Sequence, residues 1–153
     1  MSISVGIGYD SHRFAEGERL ILGGVEIEHE QGLAGHSDAD VLTHAVIDAV
    51  LGAGGAGDLG TLFPDDDDRW RDADSLDLLR TALAAIAGRV LNVDSTLICE
   101  QPRIGPHRAE MERILSEVLS ARVSVKASTN EGMGFIGRGE GIACVAVAAV
   151  ETD

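Results

Sequence analysis

A chain of 153 residues, 44% hydrophobic and 25% charged, has the size and balance of one globular domain, so a single domain over 1–153 is expected. A formal net charge of −14, with 26 acidic against 12 basic residues, provides no basic stripe and argues against nucleic-acid binding. No basic-then-apolar leader and no apolar run long enough for a bilayer occurs, and Cys99 and Cys144 match no metal or redox spacing, so a cytoplasmic protein with buried free thiols is expected.

Ser4 to Tyr9 alternates as a strand does, and Asp10-Ser11-His12-Arg13-Phe14 follows directly. Gly6-Ile7-Gly8 lacks the third glycine and the helix start of a dinucleotide fingerprint. Residues two apart on a strand share a face, so Asp10 and His12 point the same way. A lone Asp-x-His is more often a hydrogen-bonded pair closing a strand. Here His36, His44 and Asp58 add company and turn the balance towards a metal: carboxylate and imidazole are zinc ligands, and His44 as a third would leave one corner of a tetrahedron open. His29 and His107 have no such company.

Leu20–Leu22 and Val25–Ile27 around Gly23-Gly24 read as a hairpin. Next, Val41, Leu42, Ala45, Val46, Ala49 and Val50 recur at helical spacing, while Asp40, His44 and Asp48 form a polar ridge one turn apart. Ser37 is the expected N-cap with Asp40 as the acid of a capping box, and the glycines from Gly52 to Gly57 end the helix. His36 then lies just before a helix N-terminus, a place suited to phosphate.

Beyond the helix, Asp58-Leu59-Gly60 leads through Phe63-Pro64 into Asp65-Asp66-Asp67-Asp68, whose spacing is not that of a calcium loop. Asp68 reads as solvated; for Asp65 and Asp67 a functional role and a solvated one are evenly balanced. A second helix is expected over Ser75–Ala87, capped by Ser75, lined by Leu76, Leu79, Leu83 and Ile86 and stopped by Gly88. Then come a strand from Leu91 to Cys99, a loop over 101–106, a helix from His107 to about Ser120 and a strand over Val123–Ala127. A loop from Ser128 to Phe135, the segment Gly137-Arg138-Gly139-Glu140-Gly141 and a last strand over Ile142–Val150 complete the chain. Small hydroxyls, freed amides and a carboxylate in these loops suit a metal-bound diphosphate, though alone they are more often turns. Strands interleaved with three helices imply an α+β two-layer sandwich, a mixed sheet with helices packed on one face. The last strand is apolar on both sides, so the uncovered face is expected to pack against other subunits in a homo-oligomer.

Four motifs carry a resemblance over nearly the whole chain: Gly8 to Phe14; His36-Ser37-Asp38-Ala39-Asp40 with His44; Gly57-Asp58-Leu59-Gly60 with Phe63-Pro64-Asp65; and Asn130-Glu131 through Gly141. In order and spacing they resemble the 2-C-methyl-D-erythritol 2,4-cyclodiphosphate synthase family, lyases of the non-mevalonate isoprenoid pathway. The resemblance implies conversion of 4-diphosphocytidyl-2-C-methyl-D-erythritol 2-phosphate to the cyclic diphosphate with release of CMP. It also implies a homotrimer with sheets facing inward, active sites between subunits and a central cavity holding an isoprenoid diphosphate. By position the family's zinc ligands, one ion per subunit, match Asp10, His12 and His44, and its transition-state stabilisers match His36 and Thr129. Substrate contacts match Ser37, Asp58, Leu59, Gly60, Phe63, Pro64, Asp65, Asp66 and Asp67. Cytidine and its phosphates match Cys99, Glu100, Gln101, Pro102, Arg103, Ile104 and Gly105 with Ser128, Thr129, Asn130 and Glu131, and Glu131 also reaches a Mg2+ or Mn2+ ion at the diphosphate. Phe135 and Arg138 match positions beside the cavity. Arg103 stands where many members have Lys, and Asn130 replaces a threonine of some relatives. Two other readings remain open: a metal-dependent phosphohydrolase using the same His and Asp set to activate water, and a trimeric binding module for an isoprenoid diphosphate.

Overall fold

The polar residues after Tyr9 do not end the first strand, because a partner strand pairs with them. In the computed structural model, which describes Met1–Asp153, β1 spans Ser2–Ala15 and is longer than the expected 4–9. Its antiparallel ladder with β7 (Gly141–Thr152) runs from Ser2↔Thr152 to Arg13↔Gly141, passing through Asp10↔Cys144 and His12↔Ile142. β7 extends past both of its expected ends, β5 (Arg89–Ile98) begins two residues before Leu91 and stops one short of Cys99, and β6 covers Arg122–Ser128. The hairpin of β2 (Leu20–Leu22) and β3 (Val25–Ile27) is as expected, with Gly23 and Gly24 at φ +59° and +77°, as a two-residue turn of this type requires. A short β4 (Gly32–Leu33) pairs with the C-terminal end of β1.

The sheet order is β4-β1-β7-β5-β6, with β5 and β6 parallel and all other pairs antiparallel, so the sheet is mixed as expected. Helix α1 (Val41–Ala53) packs over β1 and β7, α3 (Ser75–Ala85) lies against α1 and α4, and α4 (Arg108–Leu119) against β6. Two single-turn helices, α2 (Leu59–Leu62) and α5 (Gly134–Gly137), sit in the loops.

One contact sets the geometry of everything functional. A Cβ placed on Gly6 would come 2.1 Å from the Ala49 carbonyl oxygen, and one on Gly8 1.9 Å from that of Ala45. The two glycines that fail as a dinucleotide fingerprint are where α1 lies against the sheet backbone. Gly6, Gly8, Asp10 and His12 share that face of β1, so close docking of α1 carries His44 to Asp10 and His12. The alternate residues Ile3, Val5, Ile7 and Tyr9 are 53–71% exposed on the other face, which no helix covers.

Two caps differ from expectation. The N-cap of α1 is Asp40, not Ser37: its Oδ1 accepts from Thr43 N at 3.0 Å. The same carboxylate accepts from the amides of Gly23 and Gly24, both at 2.8 Å, and from the Thr43 hydroxyl at 2.7 Å. Tying α1 to the hairpin turn buries Asp40 completely, so this helix end is filled by a side chain of the protein rather than offered to a phosphate. In α3 the cap is Asp74, and Ser75 is the first helical residue. That helix ends at Ala85 instead of Ala87, and it buries Leu78 and Leu79 while Leu76 and Leu83 stay half-buried. Both cysteines are buried and free, as expected.

Candidate metal centre and adjoining pockets

Strand β1 supplies Asp10 and His12, and α1 supplies His44. His12 Nδ1 donates to the Ala34 carbonyl at 2.9 Å; since a carbonyl only accepts, the lone pair of this ring lies on Nε2. Nε2 is 2.9 Å from Asp10 Oδ2 and 3.3 Å from His44 Nδ1, and His44 Nδ1 is 3.1 Å from Asp10 Oδ2. Three Lewis bases therefore converge on one point, with His44 buried and the other two half-buried. Tetrahedral zinc, with bonds near 2.0–2.2 Å, separates its ligand atoms by roughly 3.3 Å. The donor set fits a divalent metal, and all three residues lie in the wall of a pocket.

Electrostatics agree with that fit. Burial pushes the Asp10 carboxyl up, but where a proton takes the place of a metal between the three groups, hydrogen bonds from His12 and His44 outweigh it and hold the carboxyl below the usual carboxylate range. Burial pushes the His12 imidazole down, while its hydrogen bond to Asp10 prevails and raises it. The cluster attracts positive charge, and a proton competes with a metal for the same lone pairs.

Around the triad lies a pocket of about 470 Å3, walled by Gly35, His36 and Ser37 on one side and by Leu59, Gly60, Phe63, Pro64, Asp65 and Asp66 on the other. His36 Nε2 donates to the Asp67 carbonyl at 2.9 Å, tying the pre-helix segment to the acidic loop. Asp48, third on the polar ridge, accepts from Leu59 N at 2.7 Å and holds α2 in place. Trp70 and Leu78 also line the pocket and were not foreseen. Trp70 packs edge-on to Phe63 with ring centroids 4.9 Å apart. The available signal was that the chain's one tryptophan falls in a polar, acidic segment.

Two expected substrate contacts do not line this pocket. Asp58 caps α2, accepting from Thr61 N at 2.8 Å and from the Thr61 hydroxyl at 2.6 Å. Asp67 is engaged by Arg69, with Oδ2 accepting from the guanidinium at 2.6 Å. Short-range donors claim both carboxylates, as Asp beside a turn allows.

A second pocket of about 410 Å3 gathers Cys99 to Gly105 with Ala127, Ser128 and Thr129. Glu100 has a local task there: Oε2 accepts from Asn130 N at 2.6 Å and Oε1 from Gly132 N at 3.2 Å, clamping the loop in which Glu131 adopts φ +55°. Glu131, Phe135 and Arg138 are solvent-facing or nearly so, and Arg138 Nε donates to Glu140 at 2.7 Å. Two strands separate β1 from β6, which places Thr129 about three strand spacings, roughly 14 Å, from the triad across the sheet. The structure thus assembles Asp10, His12 and His44, sets His36 and Ser37 beside them, and holds Thr129 and Glu131 elsewhere on the same chain.

The model of the YgbB family matches residues 3–151. A 2-C-methyl-D-erythritol 2,4-cyclodiphosphate synthase from Syntrophomonas wolfei is 54% identical over 153 residues, covering 96% of this chain and 98% of that protein. A protein of Anaeromyxobacter sp. named bifunctional enzyme IspD/IspF is 56% identical over 152 residues; the match takes in 95% of this chain but only 39% of that relative's length. A structure of Plasmodium falciparum IspF in complex with CDP matches with a TM-score of 0.82 at 34% identity, over 99% of this chain and 97% of that one.

Proposed function

The chain belongs to the YgbB family, and from that premise we propose that it performs the 2-C-methyl-D-erythritol 2,4-cyclodiphosphate synthase reaction of isoprenoid biosynthesis. In 4-diphosphocytidyl-2-C-methyl-D-erythritol 2-phosphate, an oxygen of the 2-phosphate attacks the β-phosphorus. One P–O bond forms as the bond from the β-phosphorus to the oxygen bridging it to the α-phosphate breaks, and CMP leaves with that oxygen. Attacker and target belong to one molecule, so the work is positioning and neutralisation of charge.

Asp10, His12 and His44 would hold a zinc ion, which would supply Lewis-acid neutralisation of the diphosphate. Leu59, Gly60, Phe63 and Pro64 wall the erythritol chain and exclude water, with Ser37 and the acidic loop at the rim. His36 and Thr129 stabilise the charge that grows at phosphorus. The hydrogen bond from His36 Nε2 to the Asp67 carbonyl fixes the orientation of this ring in the pocket wall. The Cys99–Gly105 loop and Ser128–Glu131 would take the cytidine and its phosphates, and Glu131 would hold Mg2+ or Mn2+; the CDP complex of the Plasmodium relative supports a cytidine nucleotide as ligand class. Such cations reconcile a multiply charged phosphate ester with a protein of net charge −14. A dissolved nucleotide substrate points to the cytoplasm as the place of reaction.

The separation of the two pockets on one chain supports a homotrimer in which the triad pocket of one subunit is completed by the β6 end of its neighbour. The bare apolar stripe Ile3, Val5, Ile7, Tyr9 supports the same assembly, sheets inward, with Phe135 and Arg138 beside a central cavity for an isoprenoid diphosphate.

The observation that carries the reading is the convergence of Asp10, His12 and His44 on one point in the wall of a pocket. The test is CMP release from the diphosphocytidyl substrate before and after chelation. Release that stops with chelator and returns with zinc supports the assignment; release indifferent to metal removal overturns it.

A further inference from the structure

The two histidines of the triad are held by different devices. Nδ1 of His12 donates straight to a backbone carbonyl. His44 instead presents Nε2 to a side chain, the Ser75 hydroxyl, at 2.8 Å. Ser75 is fully buried, and its hydroxyl is also hydrogen-bonded to Asp38 Oδ1. An ionised carboxylate only accepts, so the one hydroxyl proton of Ser75 goes to Asp38, and the serine oxygen can only accept from His44. That fixes the proton of a neutral His44 on Nε2 and the lone pair on Nδ1, the atom that faces Asp10 Oδ2. Asp38 is itself pinned: Oδ2 accepts from Ser75 N at 2.9 Å and Oδ1 from Asp40 N at 3.2 Å. The carboxylate thus sits between the first residue of α3 and the N-cap of α1.

We propose that Asp38 and Ser75 are positioning residues for the metal centre, a carboxylate–hydroxyl–imidazole relay that fixes the His44 tautomer and ring orientation needed to bind zinc. This rests on the reading of the triad as a metal site. Partners behind a ligating histidine commonly govern metal affinity by about 10- to 100-fold. Neither Asp38 nor Ser75 lines the pocket, so both act through His44 and not on the substrate. Ser37 Oγ, 3.0 Å from the same Nε2, lies on the pocket side and has no anchored carboxylate behind it; it does not replace Ser75.

The test uses the full chain stripped of metal and titrated with zinc against a chromophoric chelator. Ser75→Ala is expected to weaken zinc binding about 10- to 100-fold. Ser75→Thr, which keeps the hydroxyl, is expected to bind within a few-fold of the parent. Asp38→Ala frees the serine proton to turn towards His44 and favours the wrong tautomer, so it too is expected to lose affinity. With cobalt in place of zinc, the visible absorption bands are expected to shift in Ser75→Ala and not in Ser75→Thr, a signature that a purely structural role for the serine would leave unmoved. Melting of the metal-free proteins checks that each variant folds, and Asp38→Ala decides the matter if Ser75→Ala does not. Affinity and cobalt spectrum equal to the parent in a folded Ser75→Ala would overturn the relay while leaving the metal site intact. A parent chain that takes up no zinc in the same titration would overturn the metal reading and the relay with it.

Discussion

The pocket under α1 is built around side chains locked between a helix and a sheet, whereas the pocket beside β6 is lined largely by a loop, Cys99 to Gly105. In the first, α1 is seated on Gly6 and Gly8, the triad atoms stand 2.9–3.3 Å apart, and the outer nitrogens of both histidines are occupied. In the second, Ala127, Ser128 and Thr129 are exposed, and one carboxylate, Glu100, clamps the 130–132 loop. A metal centre would demand ligand positions held within fractions of an ångström, and a helix locked onto a sheet supplies them. A nucleotide offers many hydrogen-bonding groups and tolerates a loop. The first pocket is pre-formed, and in the proposed trimer the second is the half that a neighbouring subunit would bring to the reaction.

This contrast can be broken most forcefully at the triad. His44→Ala is expected to abolish zinc uptake and lower turnover on the order of 10²-fold or more, while binding of CDP by the β6 pocket persists; zinc titration and nucleotide titration of the same variant check both halves. The division between subunits is tested by mixing. His44→Ala and Thr129→Ala, each nearly inactive alone, are expected to regain about a quarter of parent activity when unfolded and refolded together, since head-to-tail contacts then pair one intact half with the other. Mixtures no more active than their components would place both halves of the site within one chain. A charge on the bare face, Val5→Asp, is expected to dissociate the assembly in sedimentation and lower activity in parallel, with zinc affinity retained. The smallest effect is expected from Glu100→Gln: the loop loses a charged acceptor, KM for the cytidine substrate rises several-fold, and zinc content is unchanged.

Much of this contrast is readable from the residues, and the reasons for what is not are physical. The period-2 spacing of Asp10 and His12 and the helical position of His44 are local facts, and the triad follows once α1 is laid on β1. That docking depends on Gly6 and Gly8 having no side chain, a meaning glycine takes only when its neighbour across the interface is known. The length of β1 is hidden because pairing with β7 overrides the polarity of Asp10 to Arg13. The cap of α1 is misread for a similar reason: Ser37 and Asp40 are equally good N-caps in sequence, and the amides of Gly23 and Gly24, far away along the chain, decide for Asp40. Asp38 lies inside a motif singled out early, yet its partner Ser75 reads as a helix cap until the fold brings the two together.

The most direct test of the central claim, that this triad holds the metal on which cyclisation depends, is 31P NMR of the diphosphocytidyl substrate incubated with the zinc-loaded protein. The resonances of substrate are expected to give way to those of CMP and one cyclic diphosphate in equal amounts, with no change after chelation or in His44→Ala. Free inorganic phosphate in place of the cyclic product, or cyclisation that survives loss of the metal, would contradict it.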